Sequence, residues 1–155
     1  MQNNHVKKNL VDLLRTPEVR SWRTLMIAFQ GVYSQLEKEL NSEGISVSRF
    51  QILFYLYFEG NHKATDLSKK LLVSRANMSM FLKRMEADGL IKFAFQEKQK
   101  RPTVEITKGG ISFFESLFPR HIKRVKKLVK AFSPSTLKEL QEMVNSFGQS
   151  RLGEY

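Results

Sequence analysis

The amino-acid sequence predicts a mainly α-helical fold carrying one small β-hairpin, on three observations. Apolar residues recur at steps of three and four along most of the 155 residues, the spacing of one buried helix stripe. One short stretch, around residues 91–106, changes to alternation, the period of a strand. Helix-capping residues (Thr16, Ser46, Ser74, Thr107 and Ser133) stand ahead of the helical runs.

Thr16-Pro17-Glu18 combines a cap, a first-turn proline and an acid at the positive dipole end, so a helix starts here. From there Val19, Trp22, Met26, Phe29, Tyr33, Leu36 and Leu40 keep an unbroken seam to an end near Asn41 or Gly44. At 1.5 Å per residue such a helix is nearly 40 Å long, hard to cover inside one small domain. Either a helix of a second subunit or a wrap of the same chain would cover it.

Ser46 caps the next helix, with Phe50, Leu53, Phe54 and Tyr57 apolar and a stop at Glu59-Gly60. A connector, Asn61-His62-Lys63, leads to a compact helix with Ala64, Leu67, Leu71 and Leu72 expected inward. Val73-Ser74 breaks it, and Ser74 caps a helix whose stripe is Met78, Phe81, Leu82 and Met85. Two short helices joined by a tight turn make a helix-turn-helix, whose second member enters the major groove of DNA. Gly89 ends that recognition helix, since glycine accepts the left-handed conformation. Ile91, Phe93 and Phe95 then alternate with polar or small residues, and Val104 and Ile106 share a face after a basic tip. Together these make a hairpin of the kind called a wing. Thr107 caps a further helix with Ile111, Phe114, Phe118, Val125, Leu128 and Phe132 along one side; Gly109 and Gly110 weaken its first turn and Pro119 is expected to kink it. Ser133-Pro134 starts the last helix, with Leu137, Leu140, Val144 and Phe147 on one side, and the tail RLGEY is expected to fray.

Charge says what partner such a chain suits. The net charge is +11, and residues 63–130 carry all of it, with 17 Lys/Arg against 6 Asp/Glu. A local basic field favours a polyanion, nucleic acid before membrane. Cysteine is absent, which excludes disulfides and cysteine-based zinc sites. The three histidines, His5, His62 and His121, lack a ligand-like spacing, so no metal or other cofactor is expected. No nucleophile–base set, phosphate-cradling glycine loop or paired-carboxylate motif supports an enzyme. The stretch MQNNHVKKNLVDLL lacks a signal-peptide core, and the longest apolar run, ILFYLYF at 52–58, is far short of a membrane span, so a soluble cytoplasmic protein is expected.

The order of parts resembles the MarR (multiple antibiotic resistance regulator) family of bacterial transcription factors over roughly residues 17–148. ISVSRFQIL (45–53) resembles that family's second helix. ATDLSKKLLVSRANMSMFLKRMEADGLI (64–91) resembles its helix-turn-helix, and VEITKGG (104–110) its strand-to-helix signature. The resemblance implies a winged helix-turn-helix at 45–107 flanked by dimerisation helices at 1–44 and 108–155. It further implies a homodimeric repressor on a pseudo-palindromic operator in double-stranded DNA. Two positions depart from the family pattern: the wing tip is Glu97-Lys98-Gln99-Lys100-Arg101 rather than Asp-x-Arg, and Met80 stands where a basic residue is common.

Roles follow from residue chemistry. Arg75, Ala76, Asn77, Ser79 and Met80 are the expected base-reading set: arginine forks onto guanine, asparagine onto adenine, and methionine suits a thymine methyl. Ser74, Lys83, Arg84 and Lys63 are expected on phosphates, and Lys98, Gln99, Lys100 and Arg101 in the neighbouring minor groove. Val19, Trp22, Met26, Leu137, Leu140, Val144 and Phe147 are the expected dimer interface. Phe29, Tyr33, Phe50, Phe54 and Tyr57 either line a pocket for a small aromatic effector, as in many family members, or are plain core. Lys123, Arg124, Lys126, Lys127 and Lys130 form a further basic cluster, and His121 falls on an apolar stripe. A winged helix serving RNA or a protein partner is the alternative, although RNA readers usually expose stacking aromatics.

Overall fold

The computed structural model describes residues 10–95, 101–130 and 132–146. Its elements are α1 (Pro17–Ser42), α2 (Val47–Glu59), β1 (His62–Lys63), α3 (Ala64–Lys70), α4 (Arg75–Ala87), β2 (Ile91–Ala94), β3 (Thr103–Ile106), α5 (Lys108–Val129) and α6 (Pro134–Ser146). The chain divides into two units, residues 1–39 and 40–155. The mainly helical class with a small sheet and a winged helix-turn-helix is present as expected.

In the first unit, the α1 seam is continuous, with Trp22 60% exposed and Phe29 59%, while Val19 and Leu36 are half-buried. The ring centroids of Phe29 and Tyr33 are 5.9 Å apart.

The second unit holds the core. The last turn of α1 closes with Gly44 at φ +84°, where Gly44 N–H and Ile45 N–H donate back to the Asn41 and Leu40 carbonyls; glycine takes this left-handed position without strain. Ser46 then caps α2, accepting from Arg49 N–H. Leu40, Ile52, Leu53, Leu67, Met78, Leu82, Met85, Ile91, Val104, Phe114 and Leu117 are all at most 1–2% exposed and form one apolar interior. The connector 61–63 was expected to be a loop. Instead His62 and Lys63 pair with Val104 and Thr103, so the hairpin gains a third strand and the sheet order is β1-β3-β2. A two-residue strand has no alternation to reveal it, and only the edge of β3 makes it one.

Leu72 is a second correction. It was expected inward and is 74% exposed at φ +55°. It occupies the place glycine usually takes after a helix: Val73 N–H donates to Ser68 O and Leu72 N–H to Lys69 O. The apolar period thus runs two residues past the end of α3, and the turn rotates Leu72 outward.

The exit from α4 repeats this geometry with the expected residue, Gly89 at φ +71°. Thr107 locks it to α5: its hydroxyl donates to Gly89 O at 2.6 Å and accepts from Gly110 N–H at 2.9 Å. Gly110 lies against the Leu90 carbonyl so closely that a Cβ would stand 2.1 Å from its oxygen. The glycine that weakens the helix start is what allows α5 to seat on the recognition unit. Pro119 lies inside α5, which the structure records as one helix from Lys108 to Val129. In α6 no side chain is buried, and Leu137 is 49% exposed.

Candidate nucleic-acid interface

The recognition helix α4 is built as two faces. Ser74 begins it in an extended conformation, and its hydroxyl accepts from Asn77 N–H at 3.1 Å, satisfying one free donor of the first turn. Met78, Leu82 and Met85 are at most 1% exposed and pin one side to the core; Phe81 is half-buried. Arg75, Ala76, Asn77, Ser79, Met80, Lys83, Arg84 and Ala87 are all exposed. Every base-reading and phosphate-binding candidate on this helix therefore stands at the surface, with Met80 at 59%. Lys63, at the start of α3, is exposed as well.

The wing base meets this surface. Arg75, Ser79, Lys83 and Arg101 rim a cleft of about 350 Å³ whose floor includes Met78, Leu82 and Phe93. Three of the predicted cations thus converge where α4 faces the hairpin. Lys98, Gln99 and Lys100 lie outside the described residues. On the strands, Lys92 pairs with Glu105 at 3.1 Å and Asn61 donates to the same carboxylate at 2.7 Å.

Two polar devices behind this surface were not foreseen. Arg49, only 7% exposed, donates from Nη1 to Asp88 Oδ2 at 2.7 Å and from Nη2 to Gly44 O at 2.9 Å. Glu43 is gripped by Arg124 and Arg120, the latter at 2.7 and 3.2 Å. The hydrogen bonds from Arg124 and then Arg120 hold its carboxyl below the usual value. Of the basic cluster on α5, Arg124 is half-buried and paired with Glu43, whereas Lys123, Lys126, Lys127 and Lys130 are exposed. The signal available in sequence was an arginine in the first turn of an otherwise apolar helix. Spacing alone cannot name a partner 39 residues away.

The pocket candidates separate. Phe29 and Tyr33 belong to the first unit; Phe50, Phe54 and Tyr57 belong to the second and join the aromatic side of α5. Tyr57, Phe58, Phe114, Glu115, Phe118 and Pro119 line an open cleft of about 320 Å³ there. Tyr57 donates to Glu115 Oε1 at 2.8 Å, and that bond raises the phenol pKa. Phe114 and Phe118, which the sequence places only on the apolar side of α5, thus also line the cleft. His121 lies against Phe50, with ring centroids 4.3 Å apart.

Among the described residues, no helix is long and apolar enough to cross a membrane, and no three acidic or histidine side chains cluster as metal ligands.

The model of the MarR family matches residues 43–102, the segment that carries the helix-turn-helix and the wing. Over that segment the chain is similar to the MarR family. This is a family of transcriptional regulators and not of enzymes. The chain is 20% identical to the HTH-type transcriptional regulator MhqR of Bacillus subtilis, over 78% of this chain and 84% of that one. Its fold is similar to that of Sco3205, a MarR family regulator from Streptomyces coelicolor solved in complex with DNA: TM-score 0.79 at 22% identity, covering 86% and 87% of the two chains. The organohalide-sensing regulator RdhR-CbdbA1625, solved with 2,4-dichlorophenol, gives a TM-score of 0.73 at 19% identity, covering 85% of this chain and 79% of that one.

Proposed function

We propose that this protein is a MarR-family regulator that binds double-stranded DNA sequence-specifically as a homodimer on a pseudo-palindromic operator and represses transcription. The observation that carries the proposal is α4 itself, buried along Met78, Leu82 and Met85 and exposed along its cationic side. Arg75, Ala76, Asn77, Ser79 and Met80 read bases; Ser74, Lys83, Arg84 and Lys63 hold phosphates. Lys98, Gln99, Lys100 and Arg101 enter the adjacent minor groove, and segment 45–107 is the DNA-binding part. The DNA-bound Sco3205 supports this use of the fold.

Dimerisation belongs to segments 1–44 and 108–155, through Val19, Trp22, Met26, Leu137, Leu140, Val144 and Phe147. Exposed Trp22, Met26 and Leu137 support it, since a monomer rarely leaves such apolar faces uncovered. A small aromatic effector releases the DNA, through the Tyr57–Phe118 cleft and the neighbouring Phe50 and Phe54. The dichlorophenol-bound RdhR-CbdbA1625 supports an effector of that class.

The deciding experiment is a mobility shift with duplex DNA from upstream of the coding sequence, with single-stranded RNA and random duplex as competitors. The expected result is a shifted band that random duplex and RNA displace poorly. Preferential displacement by RNA would overturn the reading.

A further inference from the structure

We propose that Arg49 is a positioning residue for DNA binding, which sets the tilt of the recognition helix without touching DNA; this rests on the DNA-binding reading above. Arg49 sits in the first turn of α2, and its guanidinium bridges two elements: the Gly44 carbonyl at the α1–α2 corner and the Asp88 carboxylate at the end of α4. Its side chain is 8% exposed, while that of Asp88 is 46% exposed.

A carboxylate at a helix C-terminal end opposes the helix dipole. Asp88 is the C-cap of α4, so its position favours a cation brought against it from elsewhere. The corner that holds Arg49 is itself held: Glu43, next to Gly44, is clamped by Arg120 and Arg124 of α5. Polar contacts therefore run from α5 through the corner to the exit of the recognition helix.

The lever is long. The 13 residues of α4 extend about 20 Å, so a tilt of about 3° at Asp88 displaces the first turn, with Arg75 and Asn77, by about 1 Å. Base readout depends on placement within about half an ångström, whereas phosphate contacts through long flexible lysines tolerate such a shift. A planar fork can hold a carboxylate and a carbonyl together; an ammonium is a point charge that cannot reproduce that geometry.

The test uses the full-length chain and two variants, Arg49→Lys and Asp88→Asn. A duplex selected by the wild-type protein from a random library and an unselected duplex are titrated across salt concentrations, at a temperature where melting curves show each variant folded. The expected result is a tenfold or greater loss of affinity for the selected duplex. Affinity for the unselected duplex should stay within about twofold, with the same salt slope, because no phosphate contact is removed. A role confined to stability predicts a lower melting temperature and an unchanged affinity ratio, and that outcome, or equal losses on both duplexes, overturns the proposal. Should Arg49→Lys fail to fold, Asp88→Asn alone decides, since its side chain is half exposed. A wild-type protein that selects no duplex at all overturns the DNA-binding reading, and this inference with it.

Discussion

At the scale of single residues, three positions around the helix ends carry opposite expectations. Gly110→Ala places a Cβ 2.1 Å from the Leu90 carbonyl oxygen, and backbone cannot yield as a side-chain tip can. The variant should lose at least about 2 kcal/mol, visible as a reduced denaturation midpoint. Gly109→Ala meets nothing nearer than 3.5 Å and should gain about 0.5–1 kcal/mol, the ordinary helix preference of alanine. If both alanines behave alike, the seating of α5 on the Leu90 turn is wrongly described. Leu72 offers the converse case. It is held at φ +55° while 74% exposed, so Leu72→Gly removes the left-handed strain and little packing. A gain of about 1 kcal/mol in urea denaturation is expected.

At the scale of elements, α4 makes a prediction about readout. Arg75→Ala should relax sequence preference, costing about 1–3 kcal/mol on the preferred duplex and little on random DNA. Lys83→Ala should weaken both about equally, as loss of a phosphate contact does. Competition titrations separate the two patterns, and uniform loss for Arg75→Ala counts against base contact. The junction of the corner at Glu43 with α5 predicts a pH dependence. The Glu43 carboxyl is held below 4.5 by Arg124 and Arg120, so in the folded state it keeps its charge at a pH where the unfolded chain binds a proton. Its contribution is complete above the unfolded value and disappears as pH falls through the folded value. Glu43→Gln should therefore be less stable than wild type at neutral pH, and the gap should close under acid, below pH 4.5. Denaturation midpoints measured across that range check the sign; a gap that widens in acid is the contrary result.

At the scale of the whole molecule, the excess charge governs how binding responds to salt. A net charge of +11 carried by residues 63–130 suits a protein that neutralises about 6–10 phosphates, whose affinity falls roughly 10³–10⁵-fold between about 50 and 200 mM salt. A flat titration would point to a partner other than DNA. Trp22→Glu places a charge on an apolar side chain that is 60% exposed in the single chain. It should shift sedimentation from dimer toward monomer and weaken operator binding, because two half-sites can then no longer be held together.

Much of this was legible in residue order. The 3.6-residue period, the caps at Ser46, Ser74 and Thr107 and the glycine at position 89 specify their elements locally, since each depends on neighbours within a turn. The two-faced character of α4 and the concentration of positive charge likewise need no third dimension. What tertiary structure decided are the pairings between distant segments: β1 with β3, Arg49 with Asp88, Glu43 with Arg120 and Arg124, and Gly110 with Leu90. Periodicity assigns a side chain to a face, but it carries no record of what comes to meet that face. The outward turn of Leu72 has the same cause, for the end of α3 is set by hydrogen bonds to Ser68 and Lys69 rather than by the apolar pattern that runs past it.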